Sequence, residues 1–130
     1  MNYDCLFQPI KIGSLEIKNR FVMPAMDSGT TTLDHRFSRQ SCCYFGARAA
    51  GGFGLIIPEY MAVSPYGIGN SKEAALWDDS YIEGLKELTQ EVHKNGAKIF
   101  AQLHHSGMMC VEKNTGVQPA GPSAIAATNY

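Results

Sequence analysis

The stretch Lys98-Ile99-Phe100-Ala101-Gln102-Leu103-His104-His105-Ser106-Gly107 decides the fold class. It begins as an apolar run, which predicts a buried strand over residues 98–103, and it ends in polar side chains and a glycine. A strand that is covered on both faces of a parallel sheet is almost continuously apolar. In folds of this class, ligands bind outside the carboxyl ends of the strands. The stretch therefore predicts a parallel strand whose far end faces a binding site.

Gln102 is the residue of this stretch that most needs an explanation. A buried primary amide carries one acceptor and two donors, and each of them needs a partner. The partners come either from the protein itself or from a ligand whose edge offers both a donor and an acceptor. From periodicity alone, the protein itself is the favoured source.

Two more strands are predicted upstream, and each of them runs into a proline. The first is predicted over residues 20–25, where the sequence is apolar from Phe21 onward, and Pro24 has no N–H to donate to a sheet ladder. Residues 54–58 end at Pro58, and Glu59 and Tyr60 follow in the position that Gln102 takes in the third strand. Before both strands, alternating residues on either side of a Gly13-Ser14 turn predict a short edge β-hairpin.

Helices are predicted between the three strands. The first covers residues 38–50 and is stopped by Gly51-Gly52, and its inward stripe is Phe37, Cys42, Phe45 and Ala49. The second opens with a predicted capping box, Ser80 to Glu83, and ends at Gly96. The order β-α-β-α-β implies right-handed crossovers and a parallel sheet. Residues 63–77 and 108–130 are predicted to be long loops.

Composition excludes several other classes of protein. The chain has 130 residues, 45% hydrophobic and 18% charged, with a formal net charge of -1, as expected of one ordinary globular domain. It has no basic run for nucleic acid and no apolar stretch near the roughly 20 residues that span a bilayer. The first residues do not resemble a signal peptide, and the four cysteines lack CxxC spacing. We therefore expect a cytoplasmic protein with reduced, mostly packing thiols.

Three short motifs receive their simpler interpretations. Gly51-Gly52-Phe53-Gly54 lies between a helix and the following strand, so a tight turn is favoured over a nucleotide site. His104 and His105 point to opposite faces of a strand, which favours capping, packing or substrate contact over metal binding. Asp78-Asp79 precedes a helix and suits its N-terminal dipole. The residues themselves thus predict an α/β unit with polar strand ends, without defining a reaction.

Several motifs in one order nevertheless carry a specific resemblance. They cover residues 6–13, Lys18 to Met26, residues 51–57, Trp77-Asp78-Asp79, residues 102–107 and Gly121-Pro122-Ser123-Ala124. Together they resemble the old yellow enzyme family from Leu6 to about Ala126. Glu59-Tyr60 and residues 92–97 are most similar to the subgroup with 2,4-dienoyl-CoA reductase, trimethylamine dehydrogenase and clostridial bile-acid-dehydroxylation flavoenzymes.

The resemblance implies a (β/α)₈ TIM barrel that binds FMN at its C-terminal mouth. In this family the flavin takes a hydride from NADH or NADPH and passes it to an activated C=C bond. The expected substrate is a small unsaturated carbonyl compound or an acyl-CoA. The chain would be the N-terminal βαβαβ portion of the barrel, preceded by the short hairpin, so that residues 1–130 form a partial flavin-binding domain.

The resemblance also assigns roles to individual residues. Pro24, Ala25 and Met26 would run along the isoalloxazine ring, and Asp27 takes the place where relatives have Thr, Cys or His. Tyr60 would lie beside the ring. Gln102 would pair with the pyrimidine edge of the flavin, which offers both a donor and an acceptor and so reverses the earlier preference for a protein partner. His105 would lie close to the substrate.

The remaining parts of the family's site are expected after residue 130. A complete barrel takes at least about 200 residues, so only strands one to three are expected here. The substrate-anion-binding pair, the proton donor, the phosphate site and any 4Fe-4S cluster would follow. A homo-oligomer is expected, because an open sheet leaves edges and an apolar face uncovered. The alternative prediction is a catalytically silent α/β fragment that is stabilised by self-association.

Overall fold

The computed structural model describes residues 3–125 and places eight strands and three α-helices in them. In chain order these are β1 (Ile10–Ile12), β2 (Leu15–Ile17), β3 (Val22–Met23), α1 (Arg39–Ala50), β4 (Leu55–Ile56), β5 (Tyr60–Ala62), β6 (Ala74–Ala75), α2 (Ile82–Lys94), β7 (Lys98–Ile99), β8 (Gln102–His104) and α3 (Glu112–Thr115). Short 3-10 helices at Asp4–Phe7, Pro65–Gly67, Asp79–Tyr81 and Gly107–Met109 connect them.

The three predicted strands lie side by side in one parallel sheet. Its order is β3-β4-β7, with Val22 opposite Leu55 and Leu55 opposite Lys98. The predicted order and direction are therefore confirmed. The predicted hairpin is also confirmed, because β1 and β2 pair antiparallel around Gly13, whose φ of +60° suits glycine.

A second parallel sheet, which the sequence did not predict, follows the first. Its order is β6-β5-β8, and Tyr60 lies opposite Gln102 in it. The prediction of one strand over residues 98–103 is therefore wrong, since pairing stops after Ile99 and resumes at Gln102. The neighbouring segment between β4 and β5 is interrupted at the same level, because Pro58 has no N–H to donate to the sheet.

The helices cover one face of the first sheet and enclose the apolar core. The stripe predicted on α1 is buried: Phe37 is 8% exposed, Cys42 7%, Phe45 0% and Ala49 1%. On α2, Leu88 and Val92 are fully buried, while Ile82 at its start is 42% exposed. The two helices approach so closely at Gly46 that an added Cβ would lie 2.7 Å from Cγ of Glu91. None of the helices within residues 3–125 is long and apolar enough to cross a membrane.

The helix ends confirm some predictions and correct others. Ser38 caps α1 and Gly96 has the left-handed φ of +70° expected after α2. The capping box predicted from Ser80 to Glu83 is wrong, because Oδ1 of Asp78 accepts from the Ser80 N–H at 2.9 Å and α2 begins only at Ile82. Asp78 thus has the helix-start role predicted for it.

The two predicted loops contain more structure than expected. A 3-10 helix and β6 lie within residues 63–77, and another 3-10 helix and α3 lie within the described part of residues 108–130. Residues 126–130 of that predicted loop lie outside the described residues.

Candidate functional site

Polar side chains gather at the carboxyl ends of the parallel strands. Glu59 and Glu73 are each 1% exposed, and Thr31 is 3% exposed. They lie after β4, before β6 and in the loop after β3, so they meet between the carboxyl ends of the β3-β4-β7 sheet and the amino ends of the β6-β5-β8 sheet. Acidic side chains are almost never fully buried unless they are paired. This strand-end cluster is therefore the candidate site.

Glu59 ties the loop after β3 to the strand-end cluster. Its Oε2 accepts from the Ser28 N–H at 2.9 Å and from the Ser28 hydroxyl at 2.7 Å. Its Oε1 is buried and has no hydrogen-bond partner among the described residues. Burial raises the pKa of the Glu59 carboxyl and the negative charges of Asp27 and Glu73 raise it further, against the lowering by the Ser28 bonds. A raised pKa favours the neutral form of the carboxyl, which can be buried without a cationic partner.

Asp27, Tyr60 and Asn70 form a hydrogen-bonded triangle next to the strand-end cluster. The Asn70 amide donates to Oδ2 of Asp27 at 3.0 Å and to the Tyr60 hydroxyl at 3.1 Å. The Tyr60 hydroxyl donates to the same carboxylate oxygen at 3.3 Å. Burial, followed by the charges of Asp27 and Glu73, raises the pKa of the Tyr60 phenol, so that it remains a donor at neutral pH. The triangle fixes the direction of the exposed Asp27 carboxylate.

Glu73 and His104 form a carboxylate–imidazole pair. Oε1 of Glu73 lies 2.7 Å from Nδ1 of His104, and Oε2 accepts from the Gly69 N–H at 2.7 Å. The His104 ring also lies against the Tyr60 ring, with 4.5 Å between the centroids. Two contacts on different sides therefore fix the imidazole.

The loops that surround the cluster are bonded to one another. The Thr31 hydroxyl donates to the carbonyl of Lys72, and Nδ1 of His35 lies 2.9 Å from the carbonyl of Glu73. His35 itself has a φ of +64°, which a residue with a side chain adopts only at a cost. These bonds hold the segment after β3 against the segment that enters β6.

Gln102 lies at the start of β8 with its side chain exposed. The expectation of a buried amide is therefore wrong, because β8 is an edge strand with no neighbour on its far side among residues 3–125. Its amide makes no hydrogen bond within the described residues. Tyr60 lies directly opposite on β5, which brings two of the predicted cofactor-binding residues together.

The remaining predicted site residues fall into two groups. Pro24, Met26 and Asp27 are exposed and Ala25 is half-buried, and the Met26 N–H bonds the Pro58 carbonyl at 3.1 Å. They therefore run past the strand ends next to Tyr60. His105 is held elsewhere, since its Nδ1 accepts from the Gly107 N–H at 2.9 Å and its Cδ2 would lie 2.7 Å from a Cβ added at Gly67.

Sequence reasoning missed Glu59, Asn70 and Glu73 as members of the site. Glu59 had a detectable signal, an acidic residue directly after a buried strand. Asn70 and Glu73 had none, because an Asn and a Glu in a long polar loop are normally solvated. Only the pairing of β5 with β6 brings them to the strand ends.

Comparison with known proteins defines the class of protein. The model of the NADH:flavin oxidoreductase / NADH oxidase family matches residues 5–129. The chain therefore belongs to this family of flavin-dependent oxidoreductases, as the resemblance indicated. Family membership implies a flavin and NAD(P)H as the redox partners.

Individual relatives agree with this assignment. The chain is 43% identical over 122 residues to an NADH oxidase of Thermoanaerobacter brockii, covering 92% of this chain and 19% of that protein. It superimposes on an old yellow enzyme homologue from Zymomonas mobilis with a TM-score of 0.86 and 38% identity, covering 92% of this chain and 33% of that one. It also superimposes on a 2-naphthoyl-CoA reductase in complex with 2-naphthoyl-CoA, with a TM-score of 0.91 and 26% identity, covering 98% of this chain and 21% of that one.

These matches identify the fold. The relatives are TIM-barrel enzymes, and the chain spans about a fifth to a third of their length. The two short parallel sheets with helices on one face are the N-terminal portion of such a barrel.

The strand-end residues fit a flavin. The exposed amide of Gln102 offers one acceptor and two donors that no described residue uses, and this set matches a ring edge that carries both a donor and an acceptor. Residues 24–27 run beside Pro58 and Tyr60 of the neighbouring strand segment, and Tyr60 lies opposite Gln102.

Proposed function

We propose that the chain is the flavin-binding N-terminal portion of an FMN-dependent NAD(P)H oxidoreductase that reduces activated C=C bonds. Residues 1–130 would contribute one wall of the site. The observation that carries the proposal is the position of the Gln102 amide. It has no hydrogen-bond partner among residues 3–125, and it lies opposite Tyr60 beyond the carboxyl ends of the first parallel sheet. Family membership gives this geometry its chemical meaning.

Specific residues would hold the cofactor. Gln102 would pair with the pyrimidine edge, Pro24, Ala25, Met26 and Asp27 would line the ring, and Tyr60 would lie beside it. Bound FMN supplies hydride chemistry between NAD(P)H and the alkene. The Asp27 carboxylate, fixed by Asn70 and Tyr60, would place a negative charge near the ring.

The proposed substrate is a small unsaturated carbonyl compound or an acyl-CoA. The likeness to a 2-naphthoyl-CoA reductase favours the acyl-CoA, and the likeness to morphinone reductase, at 35% identity and a TM-score of 0.87, favours the small carbonyl compound. Groups that bind the flavin phosphate, or a 4Fe-4S cluster if one is present, would lie outside this chain.

Substitution of Gln102 tests the proposal directly. In the native gene product that carries this chain, Gln102→Leu keeps the volume but leaves the flavin edge unpaired. Each buried group left unsatisfied costs about 1–3 kcal/mol, so FMN affinity should fall at least about tenfold. The measurement is a titration of the flavin-free protein with FMN, followed by fluorescence quenching.

The control for this titration is Gln90→Leu, the same substitution on the exposed face of α2. It should leave the dissociation constant unchanged. An unchanged constant in Gln102→Leu would refute the proposed contact. The 130-residue chain alone should bind FMN poorly, because the expected phosphate anchor is not among its residues.

A second candidate function is a silent fragment that self-associates. It is favoured by the uncovered sheet edges, where Leu103 is 65% exposed and Val22 44%. Apolar strand edges are templates for pairing with another chain. We expect the 130-residue chain by itself to be oligomeric. Sedimentation velocity showing a stable, well-folded monomer would contradict this expectation.

A further inference from the structure

The Glu59 carboxyl has an arrangement that the proposed flavin contacts do not use. It is 1% exposed, and its Oε2 accepts from both the N–H and the hydroxyl of Ser28. Its Oε1 is buried and has no hydrogen-bond partner among residues 3–125, and no basic side chain in this part of the protein forms an ion pair with it. Burial favours the neutral form of this carboxyl, whereas the two Ser28 bonds favour the charged form. These opposing effects leave its charge open to change.

The charged groups that influence Glu59 are acidic. Burial raises the pKa of the Glu59 carboxyl, and the negative charges of Asp27, in the loop after β3, and Glu73, before β6, raise it further. The basic groups in these segments bond elsewhere, since the Lys72 ammonium donates to a backbone carbonyl at 3.4 Å and the His104 imidazole bonds Glu73. One more negative charge nearby would therefore move the balance toward the protonated carboxyl.

A chain of hydroxyl groups leads from Glu59 to the start of α1. The Ser28 hydroxyl, which donates to Glu59, lies 2.7 Å from the Thr30 hydroxyl. The Thr30 hydroxyl donates to that of Ser41 at 2.9 Å, and Ser41 lies 3.3 Å from the Ser38 hydroxyl. All of these serines and threonines except the buried Ser41 are half-buried. Because a hydroxyl both donates and accepts, the chain connects the buried carboxyl with water.

Glu59 lies next to residues that are proposed to line the flavin. Tyr60 follows it in the chain, and Asp27 directly precedes Ser28, to which Glu59 is bonded. A hydride from NAD(P)H brings two electrons and one proton to the ring, and so it adds one negative charge there. The carboxyl of Glu59 is therefore close to a charge that forms on reduction.

We propose that Glu59 is a redox-linked proton acceptor, which takes up a proton when the neighbouring flavin is reduced and releases it on reoxidation. The inference rests on the proposed function. One carboxylate oxygen forms an O–H bond with a proton from water, and no electrons are exchanged in this step. On reoxidation the O–H bond breaks and the proton returns to water. The substrate receives its proton from another group, because the proton donor of the reaction is expected after residue 130.

Proton uptake on reduction tests the proposal. The flavin-loaded native gene product is mixed anaerobically with NADH in weakly buffered solution, and a pH-indicator dye measures the protons taken up per flavin between pH 5 and pH 9. Glu59 has one pKa with oxidised flavin and a higher one with reduced flavin. Below both values the carboxyl is neutral in either state, and above both it is charged in either state. Its uptake should therefore pass through a maximum between them, of up to about one proton per flavin.

Glu59→Gln isolates this contribution. The amide oxygen still accepts from Ser28, the volume is nearly unchanged, and the side chain cannot ionise. The wild type should take up more protons than this variant at the maximum, and the same number well below and well above it. The matched control is Glu87→Gln, the same substitution at an exposed position of α2, which should follow the wild type at every pH.

Infrared difference spectra identify the protonated group without relying on uptake. At the pH of the maximum, the reduced-minus-oxidised spectrum of the wild type should contain the C=O stretch of a newly protonated carboxyl. Labelling glutamate with ¹³C should shift this band, whereas labelling aspartate, and with it Asp27, should leave it in place. The band should be absent from Glu59→Gln and retained in Glu73→Gln. The second variant decides the assignment if the first does not hold flavin.

The outcomes separate the two proposals. Normal flavin binding and normal NADH reduction, with the same proton uptake in the wild type and Glu59→Gln at every pH, would overturn the role of Glu59 and leave the proposed function intact. A band that persists in Glu59→Gln, disappears in Glu73→Gln or moves with labelled aspartate would assign the proton to another carboxyl and would also overturn the inference. A wild-type protein that binds no flavin would overturn both proposals.

Discussion

The helix-covered layer and the strand-end layer of this molecule are buried to the same depth by different means. In the first, Phe45, Ile56, Leu88 and Val92 are all 0% exposed and contact other apolar residues. In the second, Glu59 and Glu73 are 1% exposed and depend on hydrogen bonds from Ser28, Gly69 and His104. Apolar burial is non-directional, whereas each buried oxygen needs a donor at a defined position.

Because of this difference, the helix-covered layer mainly provides stability and the strand-end layer orients the side chains of the candidate site. Apolar contacts in the helix-covered layer tolerate exchange of one hydrocarbon side chain for another of similar volume. The strand-end layer fixes directions: that of Asp27 through Tyr60 and Asn70, and that of His104 through Glu73. Oε1 of Glu59 is buried there and has no hydrogen-bond partner among residues 3–125. Directional but imperfect satisfaction is expected where a fold carries a site.

The largest effect should come from the apolar layer. Phe45→Ala removes a fully buried ring that contacts Phe37 and Tyr44, and it should lower the free energy of unfolding of the 130-residue chain by about 3–5 kcal/mol. Urea denaturation at fixed protein concentration measures it. Phe7→Ala, at a side chain that is 64% exposed, is the matched control and should cost far less. Equal costs would remove the distinction between the layers.

Glu59 tests the strand-end layer. Glu59→Ala removes the acceptor for both Ser28 donors and should cost about 1–3 kcal/mol in the same assay. Glu59→Gln keeps an amide oxygen for Ser28 and removes the possibility of a buried charge, so it should cost clearly less than Ala at pH 7. The ordering would be reversed if volume rather than hydrogen bonding decided stability there.

The contribution of Glu59 to the free energy of unfolding depends on pH with a definite sign. Because burial raises the folded-state pKa of Glu59 above its ordinary value, the folded chain holds the Glu59 proton more tightly than the unfolded chain. The stabilisation from Glu59 is complete below the unfolded pKa and is lost as the pH rises through the folded pKa. Relative to Glu59→Gln, the wild type should therefore lose stability as the pH rises from 4 to 8. Glu87→Gln, at an exposed position on α2, should run parallel to the wild type.

Local signals explain why most of the fold could be predicted from the sequence. Gly13 marks the hairpin turn, Gly96 ends α2, and the spacing of Cys42, Phe45 and Ala49 defines the buried face of α1. Each of these signals acts within a few residues of itself. The parallel order then follows from alternating strands and helices.

The second sheet and most of the site could not be predicted, because they depend on pairs that are distant in the chain. Glu73 meets His104 across 31 residues, and Ser28 meets Glu59 across the same separation. Single positions carry no sign of such contacts. The family resemblance supplied Gln102 and Tyr60, but it did not supply Glu73, whose role is visible only once β6 lies beside β5.

The smallest expected effects concern the starts of the two helices, where the sequence predicted a serine cap for the second helix alone. Ser38 accepts from the Ser41 N–H at 3.2 Å and donates to the Thr30 carbonyl at 2.6 Å, so it joins the helix-covered layer to the loop that holds Ser28. Ser38→Ala should cost about 1 kcal/mol, the usual loss for an N-cap. Ser80 does not cap α2, and its hydroxyl accepts from the half-buried Arg36 at 3.2 Å. Ser80→Ala should therefore stay within about 0.5 kcal/mol, as for most surface substitutions. Urea midpoints of the two variants, measured side by side, decide between them. A larger loss in Ser80→Ala would mean that α2 begins at the predicted capping box after all.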